Sequence, residues 1–577
     1  MYRHDNGRWV LGFLALTGAV ACSSDDDAPS DGGELGTGAQ ALECDTRAAA
    51  QATTVVDGDI DTDTTWSGVV YVEESVAVRG ATLTIEPGTS IVMGADAELS
   101  IGDGTRSAKL AAAGTAAAPI RFCGSQEEPG YWGSIRVREG VAADSVLSNV
   151  LVSDGGGIAT HDAAVSFEGG VRIDNLQVRN SGKAGVYADS FAESSQRLSV
   201  EGSAGVAVVL DGAAAVTHFP RGGTIADNGE DVVRLTFSEI EEDTSFHKLE
   251  VPYVQVNTVT TQDAALTFEA GTEYHFAAGA GLEIGADGSA GSILVNGSAE
   301  APVVLRGESE DAGSWKGLVI RANVSADSAL KHLELSHAGA EGSAALHVQA
   351  PITIDHVAVK DSSRGVRIDA QGLKEGSANL SVTRTGEPAL VVAADALVSL
   401  PQGGTYNGNE EDYIAIVGGD YTKIGTVADL GVPYRVLGSV ETQAGSSLTL
   451  APGTEFVMTE DTTISIGADG GSAIFEAEGT ADAPIRFVGL EPVAGYWGGV
   501  ELGSNMASSS HLSFVEIRHG GGSTMGACLR LSSAVEVENS TFGNCAGFGL
   551  LHETGDVSDY ALSNTFEGNV SGGIGIF

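Results

Sequence analysis

The residues best suited to chemistry form a short acidic series. Asp57-Gly58-Asp59-Ile60-Asp61-Thr62-Asp63 alternates carboxylates, the spacing by which calcium loops gather oxygen ligands. The twelfth position from Asp57, where such a loop needs a bidentate glutamate, is Gly68. Asp57, Asp59, Asp61 and Asp63 are therefore a candidate calcium site, and equally a candidate cap ahead of the first strands. His337 and His519 occupy matching places in an internal repeat, where the first copy has Asp154. Asp and His both ligate metal and both end strands at turns; the glycine close behind each favours the turn. Trp132, Trp315 and Trp497 also match one another. They read as core or groove-lining residues, with stacking on a sugar ring as the functional alternative.

These residues are carried by a module that occurs three times. Leu83-Thr84-Ile85-Glu86-Pro87-Gly88-Thr89 returns as Leu266-Thr267-Phe268-Glu269-Ala270-Gly271-Thr272 and as Leu448-Thr449-Leu450-Ala451-Pro452-Gly453-Thr454, at offsets of 183 and 182 residues. Gly114-Thr115 with Ala118-Pro119-Ile120, and each tryptophan, keep the same offsets. Ser148–Asp154 matches Lys331–His337 and Ser513–His519. Pro220-Arg221-Gly222-Gly223-Thr224 matches Pro401-Gln402-Gly403-Gly404-Thr405, and the third copy stops before this point. The modules are 51–240, 241–424 and a truncated 425–577. The acidic turns Glu230-Asp231 and Glu410-Glu411-Asp412 recur between them.

Inside a module, apolar residues alternate over three to five positions between Gly, Asn and Asp, as in Leu83/Ile85, Val171/Ile173 and Leu333/Leu335. Period-two runs of this length are short strands. Similar units follow at about 20–25 residues, which favours a parallel solenoid over a sandwich array. Asn175, His356 and Asn539 hold matching positions and are candidates for a turn column. About 23 coils rising about 4.8 Å each would give a body on the order of 110 Å long.

Composition agrees. Glycine is 79 of 577 residues and aromatics only 6%, which suits many tight corners more than a globular core. The formal charge is −48. Such a surface repels nucleic-acid phosphates and anionic lipid heads and attracts divalent cations.

The LTIEPGT element, the GT-x-x-x-PI-x-F segment after it and the Trp-Gly pair resemble bacterial right-handed parallel β-helix repeat proteins of the pectin-lyase-like superfamily, over nearly all of residues 60–577. The resemblance implies an all-β right-handed parallel β-helix. It says little of function, since that fold hosts lyases, hydrolases and adhesins. A polysaccharide lyase or glycoside hydrolase would need an Arg or Lys base with calcium-holding carboxylates, or paired aspartates. Arg136 follows Trp132, but its equivalents are Val319 and Glu501, and no copy carries an Asp-Asp or His-Gly-Arg cluster. No catalytic residue is assigned.

The chain's first residues read as a targeting segment. Arg3 and Arg8 precede the apolar run Trp9–Ala21, too short to span a bilayer. Ala19-Val20-Ala21-Cys22 resembles the bacterial lipobox, which implies a lipoprotein signal peptide over 1–21 and lipidation of Cys22. The −3 residue is Ala19, where Leu is commoner, and an ordinary signal peptide is the alternative. Residues 22–50 are polar and read as a flexible tether. Ser23, not aspartate, follows Cys22, which by the same resemblance implies the outer membrane. Export leaves Cys44, Cys123, Cys528 and Cys545, four cysteines with three possible connectivities. Chain position favours Cys44–Cys123 and Cys528–Cys545, one near each end. The expected protein is a non-catalytic structural or glycan-binding rod at the cell exterior. Cys22→Ala is expected to move it from the membrane fraction to the soluble fraction on cell fractionation; unchanged membrane association would count against the anchor.

Overall fold

The computed structural model describes residues 42–577, apart from 159, 468–470, 523 and 554–557. Cys22, the signal peptide and the tether as far as residue 41 lie outside the described residues. The fold is all-β, with 46% strand and 5% helix, and Leu42–Phe577 is one compact unit.

Alternation decides which side of each strand is buried. Leu83 and Ile85 are buried, while Thr82 and Thr84 between them are half-buried. A short strand of this kind cannot satisfy its own backbone, so each borrows a partner one turn of chain later. Val69–Val72 pairs with Ser90–Met93, that strand with Ile120–Gly124, and that with Val150–Ser153, all in parallel. A second series runs Val76–Val78, Leu99–Ile101, Ile135–Val137 and Val165–Phe167. A third runs Thr64–Trp66, Leu83–Ile85 and Leu110–Ala112. Three strands thus make one turn, and long parallel sheets form its faces, an arrangement compatible with a parallel β-helix.

The register stacks like on like. Val70, Ile91, Phe122, Val152, Val178 and Val200 are successive partners, each buried, and the column ends at the half-buried Ile225. The second module repeats it as Tyr253, Tyr274, Leu305, Leu335, Val359 and Val382. The third has Tyr434, Phe456, Phe487, Ile517 and Phe542.

Equivalent strands do not share a face. Tyr253 stands 183 residues after Val70, yet it pairs with Val233, the last rung of the first module's second face. Tyr434 likewise pairs with Ile414 on the second face of the second module. Each module holds whole turns plus one strand, so each copy begins one face further around.

The repeated motifs are corners. Gly88, Gly271 and Gly453 have φ of 81°, 77° and 86°, left-handed values that favour glycine. Their N–H groups donate to the carbonyls of Ala118, Ala301 and Ala483 at 2.9–3.0 Å. The following hydroxyls of Thr89, Thr272 and Thr454, all buried, donate back to Glu86, Glu269 and Ala451. The LTIEPGT and GT-x-x-AP segments therefore meet one rung apart.

Two further corners use side chains tolerant of positive φ. Asn149, Asn175, His332, His356, Asn379 and Asn539 form one. There Asn175 Nδ2 donates to Asn149 Oδ1 at 3.0 Å, and His332 stacks on His356 at 4.6 Å. Asp154, His337 and His519 open the other, with φ of 69°, 61° and 64°. The turn reading of these three positions describes their backbone.

Cys44 joins Cys123 and Cys528 joins Cys545. Residues 42–50, expected within the tether, are instead a strap across the outside of the first sheet. Gln177 Oε1 accepts from Leu42 N at 3.1 Å, and the guanidiniums of Arg179 and Arg121 donate to the carbonyls of Leu42 and Glu43. Arg47 pairs with the buried carboxylate of Asp154 and donates to the Gly124 carbonyl. The reason is physical: the strap offers backbone carbonyls and a disulfide to arginines that the sheet already displays. The bridge pins this strap midway along the first module, not at its first rung.

The three tryptophans fill the tube behind the Gly-rich loops. Trp315 lies flat on Phe276 at 4.0 Å and is fully buried. Trp315→Ala is expected to cost about 3–5 kcal/mol of unfolding free energy, measured by urea denaturation followed by circular dichroism; a loss under 1 kcal/mol would mean the indole is not part of the core.

Candidate functional site

Three of the four candidate calcium ligands are used by the backbone or by arginine. Asp59 Oδ1 accepts from Ala77 N at 2.9 Å and Asp63 Oδ1 from Thr82 N at 2.8 Å. Asp59 also pairs with Arg79, and Asp61 lies 3.5 Å from Arg106. Asp57 is exposed on the connection before them. The series bonds the edge of the next rung, and Asp243 does the same for Ala265 N at the start of the second module. Among the described residues no group of three or more His, Cys, Asp or Glu side chains is arranged to hold a metal ion. Trp132, Trp315 and Trp497 are each fully buried, and each indole N–H donates to a backbone carbonyl at 2.8 Å, those of Ser153, Ser336 and Arg518. No ring face is left open to a sugar.

The structure brings together a different set on the second face of the first module. Arg136, Ser166, Tyr187 and Val209 are successive outward partners on neighbouring strands. Directly after those strands stand Glu168, Asp189 and Asp211, whose N–H groups donate to Val137, Phe167 and Ala188. Three acidic residues are thereby stacked, their backbones at rung spacing, about 4.8 Å. The arrangement needs an acidic residue at the same step of three consecutive turns, and the Phe167-Glu168, Ala188-Asp189 and Leu210-Asp211 pairs provide it.

Like charges this close repel unless partnered. Arg136 pairs with Glu168 and donates to Thr160 Oγ1 at 3.0 Å. His161 Nε2 lies 2.9 Å from Glu168 Oε1, and its ring stacks on Tyr187 at 4.1 Å. The Tyr187 hydroxyl donates to Asp211 Oδ2 at 2.9 Å. Burial alone would raise the Glu168 carboxyl, but hydrogen bonds and charge from Arg136 and His161 outweigh it and hold it below the usual range. Asp189 goes the other way: burial raises it, Asp211 and Glu168 add to the rise, and the Tyr187 bond offsets only part. Tyr187 is raised by burial and by its acidic neighbours.

The result is one carboxylate held ionised, one carboxyl that keeps its proton to higher pH, and a half-buried pair of aromatic rings. Such a surface offers donors, acceptors and a stacking face to a hydroxyl-rich ligand, and it places an acid beside a base. The second module retains Asp369 in the position of Asp189. There, burial is outweighed by Arg367 and His347, whose bonds of 3.0 and 3.1 Å lower the carboxyl. Gln349 stands where the first module has Glu168, so the carboxylate stack is a property of the first module.

Of these residues only Arg136, four places after Trp132, stands out in the sequence. The others carry a fainter signal, strand-ending acids at intervals of 21 and 22 residues. Comparison of the chain with protein-family models, with curated proteins and with solved structures finds no match.

The two carboxyls give opposite pH signatures. For Asp189, raised in the folded state, the associated stability is full at low pH and falls as pH rises from the ordinary Asp value through the folded one. Asp189→Asn is therefore expected to melt higher than the wild type at pH 7, with the gain vanishing below about pH 4. For Glu168, lowered in the folded state, stability is full at neutral pH and is lost as pH falls through the folded value. Glu168→Gln is expected to melt lower at pH 7 and to converge on the wild type in acid. Thermal melts from pH 3 to 8 read both; parallel curves for all three proteins would refute the assignment.

Proposed function

We propose that this chain is a right-handed parallel β-helix of the pectin-lyase-like type, serving as a non-catalytic, glycan-binding rod. It is held at the outer membrane by acyl chains on Cys22. The observation that carries the binding role is the half-buried His161–Tyr187 stack set among Arg136, Thr160, Glu168, Asp189 and Asp211. Planar rings flanked by paired carboxylates and a guanidinium match the alternating apolar face and hydroxyl edge of a neutral sugar. A stiff tube suits the role because Arg136 and Tyr187 sit on strands of one sheet and Glu168, Asp189 and Asp211 directly follow theirs, while Thr160 and His161 come from a turn. The acidic exterior disfavours polyanionic glycans. The two disulfides support an oxidising compartment outside the cytoplasm, in keeping with a lipoprotein signal peptide. No helix among the described residues is long and apolar enough to cross a membrane, so the anchor rests on Cys22.

A second reading rests on the divergence of Glu168 and Asp189. Two carboxyls whose surroundings push their protonation apart are the usual equipment for acid–base cleavage of a glycosidic bond. A panel of neutral and acidic polysaccharides separates the readings. Binding of a neutral glycan without release of reducing or unsaturated ends, weakened about tenfold or more by Tyr187→Ala, is expected. Turnover abolished by Asp189→Asn would replace the rod by the enzyme.

A further inference from the structure

The repeat allows one junction to be read against the other. Where the first module meets the second, a cavity of about 200 Å³ is lined by Leu198, Phe219, Pro220, Ile225, Leu249 and Val251, with Gly222, Gly223, Lys248 and Glu250 completing its wall. The second junction has the same parts at the same spacing: Leu380, Leu400, Pro401, Gly403, Gly404, Leu430 and Val432. Its backbone follows the same path. A Cβ on Gly223 would fall 1.9 Å from the Leu198 carbonyl oxygen, and one on Gly404 would fall 1.6 Å from that of Leu380. Tyr253 donates to the carbonyl of His247 at 3.1 Å, and its equivalent Tyr434 donates to that of Ala428 at 2.7 Å.

One substitution separates the junctions. Ile225 ends the aliphatic column of the first module, and the corresponding residue in the second is Tyr406. Tyr406 is buried, and its hydroxyl donates to the Pro401 carbonyl at 2.7 Å. The chain thus fills the second junction with its own phenol ring and bonds that ring's hydroxyl to the proline carbonyl. At the first junction the shorter Ile225 leaves that volume open, with Pro220 in its wall. Beside Phe219, at 6.2 Å between rings, lies the buried His247, whose Nε2 has no hydrogen-bond partner; Ala428 stands there in the second junction.

We infer that the first junction is a binding site for a small phenol, which takes the place that the Tyr406 side chain holds one module later, stacks against Phe219 and donates its hydroxyl to the Pro220 carbonyl. The cavity opens to solvent, and Gly222, Gly223, Lys248 and Glu250 make part of its wall, so a ligand gains chiefly where its ring covers Leu198, Phe219, Leu249 and Val251. A hydroxyl on that ring adds a directed bond to the Pro220 carbonyl. The site lies at the module junction and does not depend on the glycan reading of the second face.

The test uses p-cresol as probe on the full chain, read by saturation-transfer NMR and isothermal calorimetry. Saturable binding at one site per chain is expected, with toluene several-fold weaker because it lacks the hydroxyl. Ile225→Tyr should abolish binding by filling the cavity, and Ile225→Phe should do so without a hydroxyl. Tyr406→Ile should open the second junction and raise the stoichiometry to two. Glycan binding should be unchanged in all three variants, which keeps the two sites apart. Absence of p-cresol binding to the wild type, or binding that survives Ile225→Tyr, overturns the proposal.

Discussion

Every feature of this chain depends on a backbone constraint: a strand of three to five residues cannot satisfy its N–H and C=O groups alone. It bonds the strand one turn earlier and the strand one turn later, and the register of those bonds sets which side chains stack. Because the pairing is parallel and in step, alternation inside one rung becomes a column running through many. Val70 to Ile225 is such a column, and its aliphatic members exclude water from one side of every bond in the sheet. The same rule stacks polar residues outside. Asn175 bonds Asn149 and His356 lies on His332 because rung spacing places them there.

Stacking has a cost where the stacked residues are charged. The chain has 78 acidic residues against 30 lysines and arginines, and neighbouring rungs bring like charges within a few ångströms. Many of the cations are spent across rungs, as in Arg384 with Asp361, Lys360 with Glu334 and Arg486 with Glu516. Exposed pairs of this kind add little stability singly; their effect is to relieve repulsion. The first module's second face is where relief is incomplete. Glu168 is compensated by Arg136 and His161, whereas burial and the neighbouring carboxylates raise Asp189, so it keeps its proton to higher pH than usual. That imbalance distinguishes a candidate site from the neutralised patch around Asp369.

The repeats make the chain its own control. Positions equal in all three copies serve the tube: the glycine corners, the threonines that bond back to them and the buried tryptophans. Positions that differ mark local purpose. Glu168 becomes Gln349, and Ile225 becomes Tyr406, so one copy keeps a carboxylate stack and an open junction that the next has lost. The one-face shift between copies turns equivalent surfaces in different directions about the tube, so modules alike in sequence do not present a single continuous binding face.

The sequence by itself determined what is settled within one rung: all-β strands, the corners at LTIEPGT and its copies, and the left-handed positions at Asp154, His337 and His519. These follow from local alternation and from φ preferences, which neighbouring residues control. Only the tertiary structure decided what lies above what. Turns here run from about 20 to 35 residues, and the loops absorb the difference. Neither the stack of Glu168, Asp189 and Asp211, nor the strap over Arg121 and Arg179, nor the cavity left by Ile225 follows from local pattern. Each depends on contacts between residues whole turns apart, where loop length and not side-chain preference sets the alignment.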